Sequence, residues 1–232
     1  MQKSIRKGAY RPGEIPPAEE KEDKDMKLTW LGHACFLLES GGYEILLDPF
    51  KGVPGLADIA GEADAVYCSH GHFDHACTEG VTLRAGKPSP FAVSEVAAFH
   101  DEKGGALRGE NVLRRFTAEG ISVVHAGDLG HQLTAEQAAA LMPCDVLLIP
   151  VGGTYTVDAA GAKTVAEMLQ ARVVVPMHYR KGAVGFENIG TLEQFTDLWP
   201  AETVHFCPDN TLTLTEDLPE MVAVPAIPDN KG

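Results

Sequence analysis

Apolar residues recur along this chain in short runs of strand length, punctuated by glycine and proline. The first three lie close together: Leu28-Thr29-Trp30-Leu31, Cys35-Phe36-Leu37-Leu38-Glu39 and Tyr43-Glu44-Ile45-Leu46-Leu47-Asp48. Only Ser40-Gly41-Gly42 separates the second from the third, which predicts a tight hairpin and an antiparallel meander at the start of the folded region. Further strands are predicted at residues 65–68, 91–94, 112–116, 121–124, 146–149, 173–175 and 203–206, with a turn at Glu119-Gly120. Helix starts are signalled by the capping box Thr134-Ala135-Glu136-Gln137, which leads into residues 138–142, and by Thr191-Leu192-Glu193-Gln194. Asp158 caps a third run that reaches Gln170. Strands dominate the first half and strand alternates with helix in the second, without an internal repeat. That order predicts an α/β fold of two sheets flanked by helices.

Residues 1–25 read differently. Pro12, Pro16 and Pro17, then Glu19-Glu20-Lys21-Glu22-Asp23-Lys24-Asp25, offer almost nothing to bury, so this stretch is expected to be a disordered or extended tail ahead of a single domain over residues 26–232. Charge narrows the partners. With 33 acidic and 19 basic residues the net charge is -14, which disfavours nucleic acid, because a phosphate backbone is bound through clustered Lys and Arg. A small anionic molecule stays open, since bound dications dominate the field inside a site whatever the global charge. Cys35, Cys68, Cys77, Cys144 and Cys207 are odd in number, scattered and free of any Cys-x-x-Cys pair, which fits a reducing compartment. No apolar leader and no run long enough to span a bilayer is visible, so a cytoplasmic protein acting on a small molecule away from the membrane is expected. Oligomeric state is left open.

Chemistry concentrates in His70-Gly71-His72-Phe73-Asp74-His75, three imidazoles and a carboxylate within six residues, directly after the apolar run Ala65-Val66-Tyr67-Cys68. A strand that ends in a glycine-containing loop gives imidazoles a rigid base from which to converge on a metal ion. If ligands come from loops at one edge of a sheet sandwich, His100 after Phe99, Asp128 after Gly127 and His178 after Pro176-Met177 complete the set. The seven residues His70, His72, Asp74, His75, His100, Asp128 and His178 exceed what one tetrahedral ion uses. They suit two ions that share a carboxylate and a water. Asp48, closing an apolar strand, is expected to hydrogen-bond a ligand imidazole and fix its tautomer. Cys77 is expected to be structural, with a ligand or redox role as the alternative.

Together with Leu46-Leu47-Asp48-Pro49, Gly127-Asp128 and Met177-His178, the His-x-His-x-Asp-His run resembles the metallo-β-lactamase superfamily over residues 27–209. Trp30-Leu31-Gly32-His33-Ala34 and Ile149-Pro150-Val151-Gly152-Gly153-Thr154-Tyr155-Thr156 further resemble its short bacterial branch of metal-dependent hydrolases, the branch related to ascorbate-6-phosphate lactonase. The resemblance implies a four-layer αββα sandwich of two mixed β-sheets flanked by helices. It also implies that His70, His72 and His100 hold a first metal, Asp74, His75 and His178 a second, with Asp128 bridging. His125, which also precedes Asp128 closely, is the alternative to His100. The segment His100-Asp101-Glu102, followed by Gly104-Gly105 and Arg108-Gly109-Glu110-Asn111, resembles the branch's third motif and favours His100.

On the same resemblance Asp74 would orient the attacking hydroxide or carry its proton. His33 is a candidate catalytic group, either donating to a developing oxyanion or protonating a leaving group. Tyr155 follows two glycines whose freedom would let backbone approach a substrate, and its hydroxyl is a candidate donor to a carbonyl or phosphate oxygen. Arg108 and Lys181 lie in glycine-rich loops where a cation could hold a phosphate or carboxylate, although solvated loop charge is the plainer account. His125, His131 and His205 are expected to be structural or peripheral.

The cofactors expected are two divalent metal ions, zinc by default, with manganese or iron as alternatives. Two ions lower the pKa of a shared water, so the expected function is a dinuclear hydrolase using metal-bound hydroxide on a small ester, lactone, amide or phosphodiester. A mononuclear iron oxidoreductase resembling the superfamily's persulfide dioxygenases is the principal alternative. A nuclease is disfavoured by charge, a true β-lactamase by the lack of a secretion signal, and a non-catalytic metal scaffold remains a fourth reading.

Overall fold

The computed structural model describes residues 25–228. The tail expected over residues 1–25 therefore falls, apart from Asp25, outside the described residues. The chain opens with β1 (Met26–Gly32), β2 (Cys35–Ser40) and β3 (Tyr43–Leu47), the expected meander. Ser40 pairs with Tyr43 across Gly41 and Gly42, whose φ values of 55° and 70° meet the double positive-φ demand of a two-residue hairpin turn. Next come β4 (Gly61–Ala63), β5 (Ala65–Tyr67), β6 (Val81–Leu83), β7 (Ala92–Phe99), β8 (Glu110–Ala118) and β9 (Ile121–His125). The second half alternates α1 (Ala135–Leu141), β10 (Val146–Pro150), α2 (Ala159–Met168), β11 (Val173–Met177) and α3 (Leu192–Thr196), then ends with β12 (Val204–Phe206), β13 (Thr211–Leu214) and β14 (Met221–Val224).

These strands form a five-stranded sheet in the order β13-β1-β2-β3-β5, a seven-stranded sheet in the order β12-β14-β11-β10-β9-β8-β7, and a two-stranded ribbon of β4 and β6. Both large sheets are mixed, and they face each other across one continuous core. Alternation along the first sheet sorts its side chains. Phe36, Leu38, Ile45 and Leu47 enter the shared core, whereas Cys35 and Leu46 turn to the opposite face, where Phe50, Val53 and Ala63 cover them. Strands β9, β10 and β11 are buried along their whole length, as parallel strands covered on both faces should be. Ala138 and Leu141 of α1 and Ala162, Val165 and Ala166 of α2 belong to that same core.

The helix starts follow their sequence signals. Thr134 Oγ1 accepts from Gln137 N at 3.2 Å and Gln137 Oε1 accepts from Thr134 N at 3.0 Å, closing the capping box. Asp158 Oδ1 accepts from Gly161 N at 2.8 Å at the start of α2. Thr191 N donates to Gln194 Oε1 at 3.0 Å ahead of the short α3. Among the described residues no helix is long and apolar enough to cross a membrane.

One feature of the topology places the site. Strands β1, β3 and β5 run in one direction within their sheet, as do β7, β9, β10 and β11 within theirs. The segments leaving their C-terminal ends carry His33, Asp48, the run from His70 to His75, His100, Asp128, Tyr155 and His178.

Candidate metal centre

Asp128 stands at the middle of these strand ends, 2 % exposed. Its Oδ2 lies 3.0 Å from His100 Nε2, 3.3 Å from His178 Nε2 and 4.0 Å from His70 Nε2, and its Oδ1 lies 3.2 Å from His75 Nε2. Two ligand clusters flank it: His70, His72 and His100 on one side, and His33, Asp74, His75 and His178 on the other. Each cluster keeps its ligand atoms within 4.8 Å of one another. All seven residues singled out as ligands are thus brought together, and His33 joins them.

The outward hydrogen bonds decide what these imidazoles present to the centre. Asp48, buried, accepts from His75 Nδ1 at 2.8 Å, from Ser69 Oγ at 2.6 Å and from Ser69 N at 2.6 Å. With its own proton committed to Asp48, Ser69 Oγ accepts from His70 Nδ1 at 3.0 Å. His100 Nδ1 donates to the Tyr155 carbonyl at 3.0 Å. In all three histidines the Nδ1 proton is used outward, so Nε2 directs its lone pair inward. Inward, the lone pairs of His75 and His100 meet the Asp128 carboxylate while that of His70 meets His72 Nδ1 at 3.0 Å; His75 Nε2 and Asp128 Oδ1 are both buried and form no hydrogen bond despite their 3.2 Å separation. Lone pairs crowded onto a buried anion are stable only with positive charge between them, which is the donor set of a metal site.

Electrostatics carry the same message. Burial opposes charge on His75 and His100, yet the Asp128 carboxylate beside them raises both above the ordinary imidazole range, so a proton serves where a cation could. Burial likewise works against Asp128, but His178, His75 and His100 hold it ionised well below the usual carboxylate range. On the rim of this cluster, burial and the neighbouring His75 push His70 down to about 3.

His125 takes a different role. Its Nε2 donates to the Ala34 carbonyl at 2.9 Å and its Nδ1 accepts from Gly127 N at 3.2 Å, so backbone occupies both ring nitrogens and neither faces the clusters. His131 is tied to Phe99 N and the Gln132 carbonyl, and Cys77 belongs to neither cluster.

Residues 27–178 match the family model described as Beta-lactamase superfamily domain. The chain belongs to the metallo-β-lactamase superfamily. A UPF0173 metal-dependent hydrolase of Methanoregula boonei is 32% identical, covering 75% of this chain and 92% of its own. One from Methanoculleus marisnigri is 31% identical, covering 79% and 98%. A Thermotoga maritima structure described as a candidate zinc-dependent hydrolase of the superfamily is 36% identical with a TM-score of 0.69, covering 88% of this chain and all of the other. With these relatives, the chain is a metal-dependent hydrolase of the metallo-β-lactamase superfamily.

In this member of the superfamily the clusters open into a cavity of about 360 Å³ lined by Phe73, Asp74, Arg108, Tyr155, His178 and Phe186 among others. Tyr155 accepts a hydrogen bond on its hydroxyl from Asn188 Nδ2, which leaves the phenol proton free to donate into the cavity. His33 does not line the cavity: it is 3 % exposed, with Nε2 3.3 Å from Asp74 Oδ2. The expected contact with an oxyanion or leaving group is not what the geometry offers; the contact that His33 makes toward the cavity is with Asp74. Gly152 also departs from expectation, because a Cβ there would lie 2.3 Å from the His178 carbonyl oxygen; the glycine makes room for protein backbone and not for substrate. Lys181 stacks over the Phe206 ring, 5.3 Å from its centroid, and does not line the cavity.

Three further groups support the ligands. Ser69 links Asp48 to His70. Asn111, buried in β8, accepts from Asp128 N at 3.0 Å and donates to the Ala126 carbonyl at 2.9 Å. The Tyr155 carbonyl orients His100. Of these, Asn111 carried a signal in the sequence, its place in Arg108-Gly109-Glu110-Asn111.

Proposed function

We propose that this chain is a dinuclear hydrolase of a small-molecule ester, lactone, amide or phosphodiester, working with two divalent ions, zinc by default and manganese or iron as alternatives. The observation that carries the reading is the pair of ligand clusters sharing one buried carboxylate, with imidazole lone pairs turned toward it. His70, His72 and His100 would hold one ion, Asp74, His75 and His178 the other, and Asp128 both. Bound there, a pair of dications makes water acidic near neutral pH and polarises a carbonyl or phosphoryl oxygen.

The chain's own groups supply the rest. Asp74 reaches the cavity with Oδ2 held by His33 Nε2, placed to orient an attacking water and to take its proton. Burial opposes its charge, but the hydrogen bond from His33 and the charge of His75 hold its carboxyl down to about 2, so it is ionised at neutral pH and accepts a hydrogen bond from the water that it orients. Asp48 fixes the tautomer of His75 directly and that of His70 through Ser69. The Tyr155 hydroxyl is placed to donate to the oxygen that gains charge in the reaction.

The test is turnover by ion-loaded protein of nitrophenyl esters, simple lactones and bis(nitrophenyl) phosphate. Turnover of at least one class, abolished by chelation and restored by the ion, is expected. A protein holding two ions that turns over none of them, or turnover indifferent to chelation, would contradict the proposal.

A further inference from the structure

Arg108 stands on the wall between two cavities. It lines the 360 Å³ cavity over the ligand clusters and also a neighbouring groove of about 780 Å³, and Tyr155 is the other residue common to both. Arg84 pairs with Glu44 and Asp64, Arg114 with Glu95 and Arg172 with Asp145, whereas Arg108, the one arginine that lines the cavity over the clusters, has no such carboxylate among the described residues. Its own loop holds one close by, but Asp101 is buried and spends both oxygens on four backbone N–H groups, from Lys103, Gly105, Leu107 and Arg108, at 2.7 to 3.0 Å.

The guanidinium is nevertheless held in place. Its carbon lies 5.5 Å from the centroid of the Tyr155 ring, and Nη2 donates to the Thr154 carbonyl at 3.1 Å. That carbonyl belongs to a β-branched residue in the left-handed region, φ 60°, which is fastened by Thr154 Oγ1 donating to the Asn188 carbonyl at 2.7 Å. Asn188 also donates to the Tyr155 hydroxyl. A planar donor fork with most of its N–H groups unused, fixed beside a metal-ligand cluster and ion-paired to no carboxylate among the described residues, is suited to receive a carboxylate or phosphate.

We propose that Arg108, assisted by the Tyr155 hydroxyl, is the specificity-determining residue of this site, and that the substrates are small molecules bearing a carboxylate or phosphate near the scissile bond. The anion sits at the shared wall, and groups beyond it continue into the larger groove. The smaller cavity is also lined by Phe73 and Phe186, with ring centroids 6.4 Å apart, which offer nothing to a second anion. The scissile bond in this statement rests on the hydrolase reading above, but the anion receptor can be tested without turnover.

The experiment is calorimetric titration of ion-loaded protein with the dicarboxylates from malonate to adipate, each against the monocarboxylate with the same number of carbons. One carboxylate has the ions available to it, and only the second can report on Arg108. At one chain length or more the dicarboxylate is expected to bind about tenfold more tightly to the wild type. Arg108→Ala and Arg108→Gln are expected to abolish that advantage, and Arg108→Lys to keep part of it, with unchanged ion content and circular dichroism. Equal binding of the two series to the wild type, or an advantage that survives in Arg108→Ala and Arg108→Gln, would overturn the proposal. Failure of the hydrolase reading would be seen separately, as ion-loaded protein that hydrolyses nothing while the binding difference stands.

Discussion

A histidine buried away from the cavity can still govern it. Burial first, and then the neighbouring His178, push the His33 imidazole down to about 4, so at neutral pH it is uncharged and can give its Nε2 proton to Asp74. It is held there in left-handed backbone, φ 53°, as are Asp48 at 44° and His178 at 53°, each costing about 1 kcal/mol that the surrounding fold offsets. His33→Ala is therefore expected to retain its full metal content and lose about a hundredfold in turnover, because Asp74 is no longer aimed. Elemental analysis alongside kcat checks this: loss of an ion would make His33 a ligand, and unchanged turnover would remove it from the site. At this scale the sequence was most legible where chemistry is packed into a motif, as in His70 to His75. Ser69 and the Tyr155 carbonyl were not legible, since neutral partners and backbone atoms leave no spacing signature, and Asn111 stood in a motif that does not reveal its bond with Asp128 N. His100 follows β7 while His125 is the last residue of β9, a difference of one position that spacing does not register, and it is the fold that puts backbone on both nitrogens of His125.

The elements that carry these residues are held in register by close backbone contacts. Gly130 N donates to the Phe99 carbonyl at 2.9 Å, and a Cβ on Gly130 would lie 2.3 Å from both Asp101 N and His100 C. Since backbone cannot step aside as a side chain can, Gly130→Ala must displace the end of β7 and with it His100. The expected cost is about 1–3 kcal/mol in stability, read as a fall of several degrees in Tm, together with weakened metal retention. A variant with wild-type Tm and wild-type retention would show that the packing here is looser than described. The long runs and capped helices were readable in advance because periodicity and capping chemistry are local. Strands β4 and β6, three residues each, are too short to show a period, and β13 and β14, four residues each, barely exceed that, although Thr211-Leu212-Thr213-Leu214 alternates. Their pairing with β1 and β11 joins distant parts of the chain, which no local pattern encodes.

For the whole molecule, the two sheets act as a frame that delivers strand ends from both sides to one edge. The ligand set is assembled from segments as far apart as His70 and His178, so the centre exists only when the sandwich is closed. Ion binding and folding should accordingly be linked, and the acidic exterior does not interfere because the central charge, Asp128, is buried among imidazoles. The proposed dinuclear hydrolase requires that this centre hold two ions and not one. Its most direct test is elemental analysis of protein purified without added metal, with zinc, manganese and iron each counted per chain, for the wild type and Asp128→Asn. Close to two zinc or manganese ions per wild-type chain, falling in Asp128→Asn, is the expected result. One iron per wild-type chain would contradict the dinuclear hydrolase and put the oxidoreductase in its place.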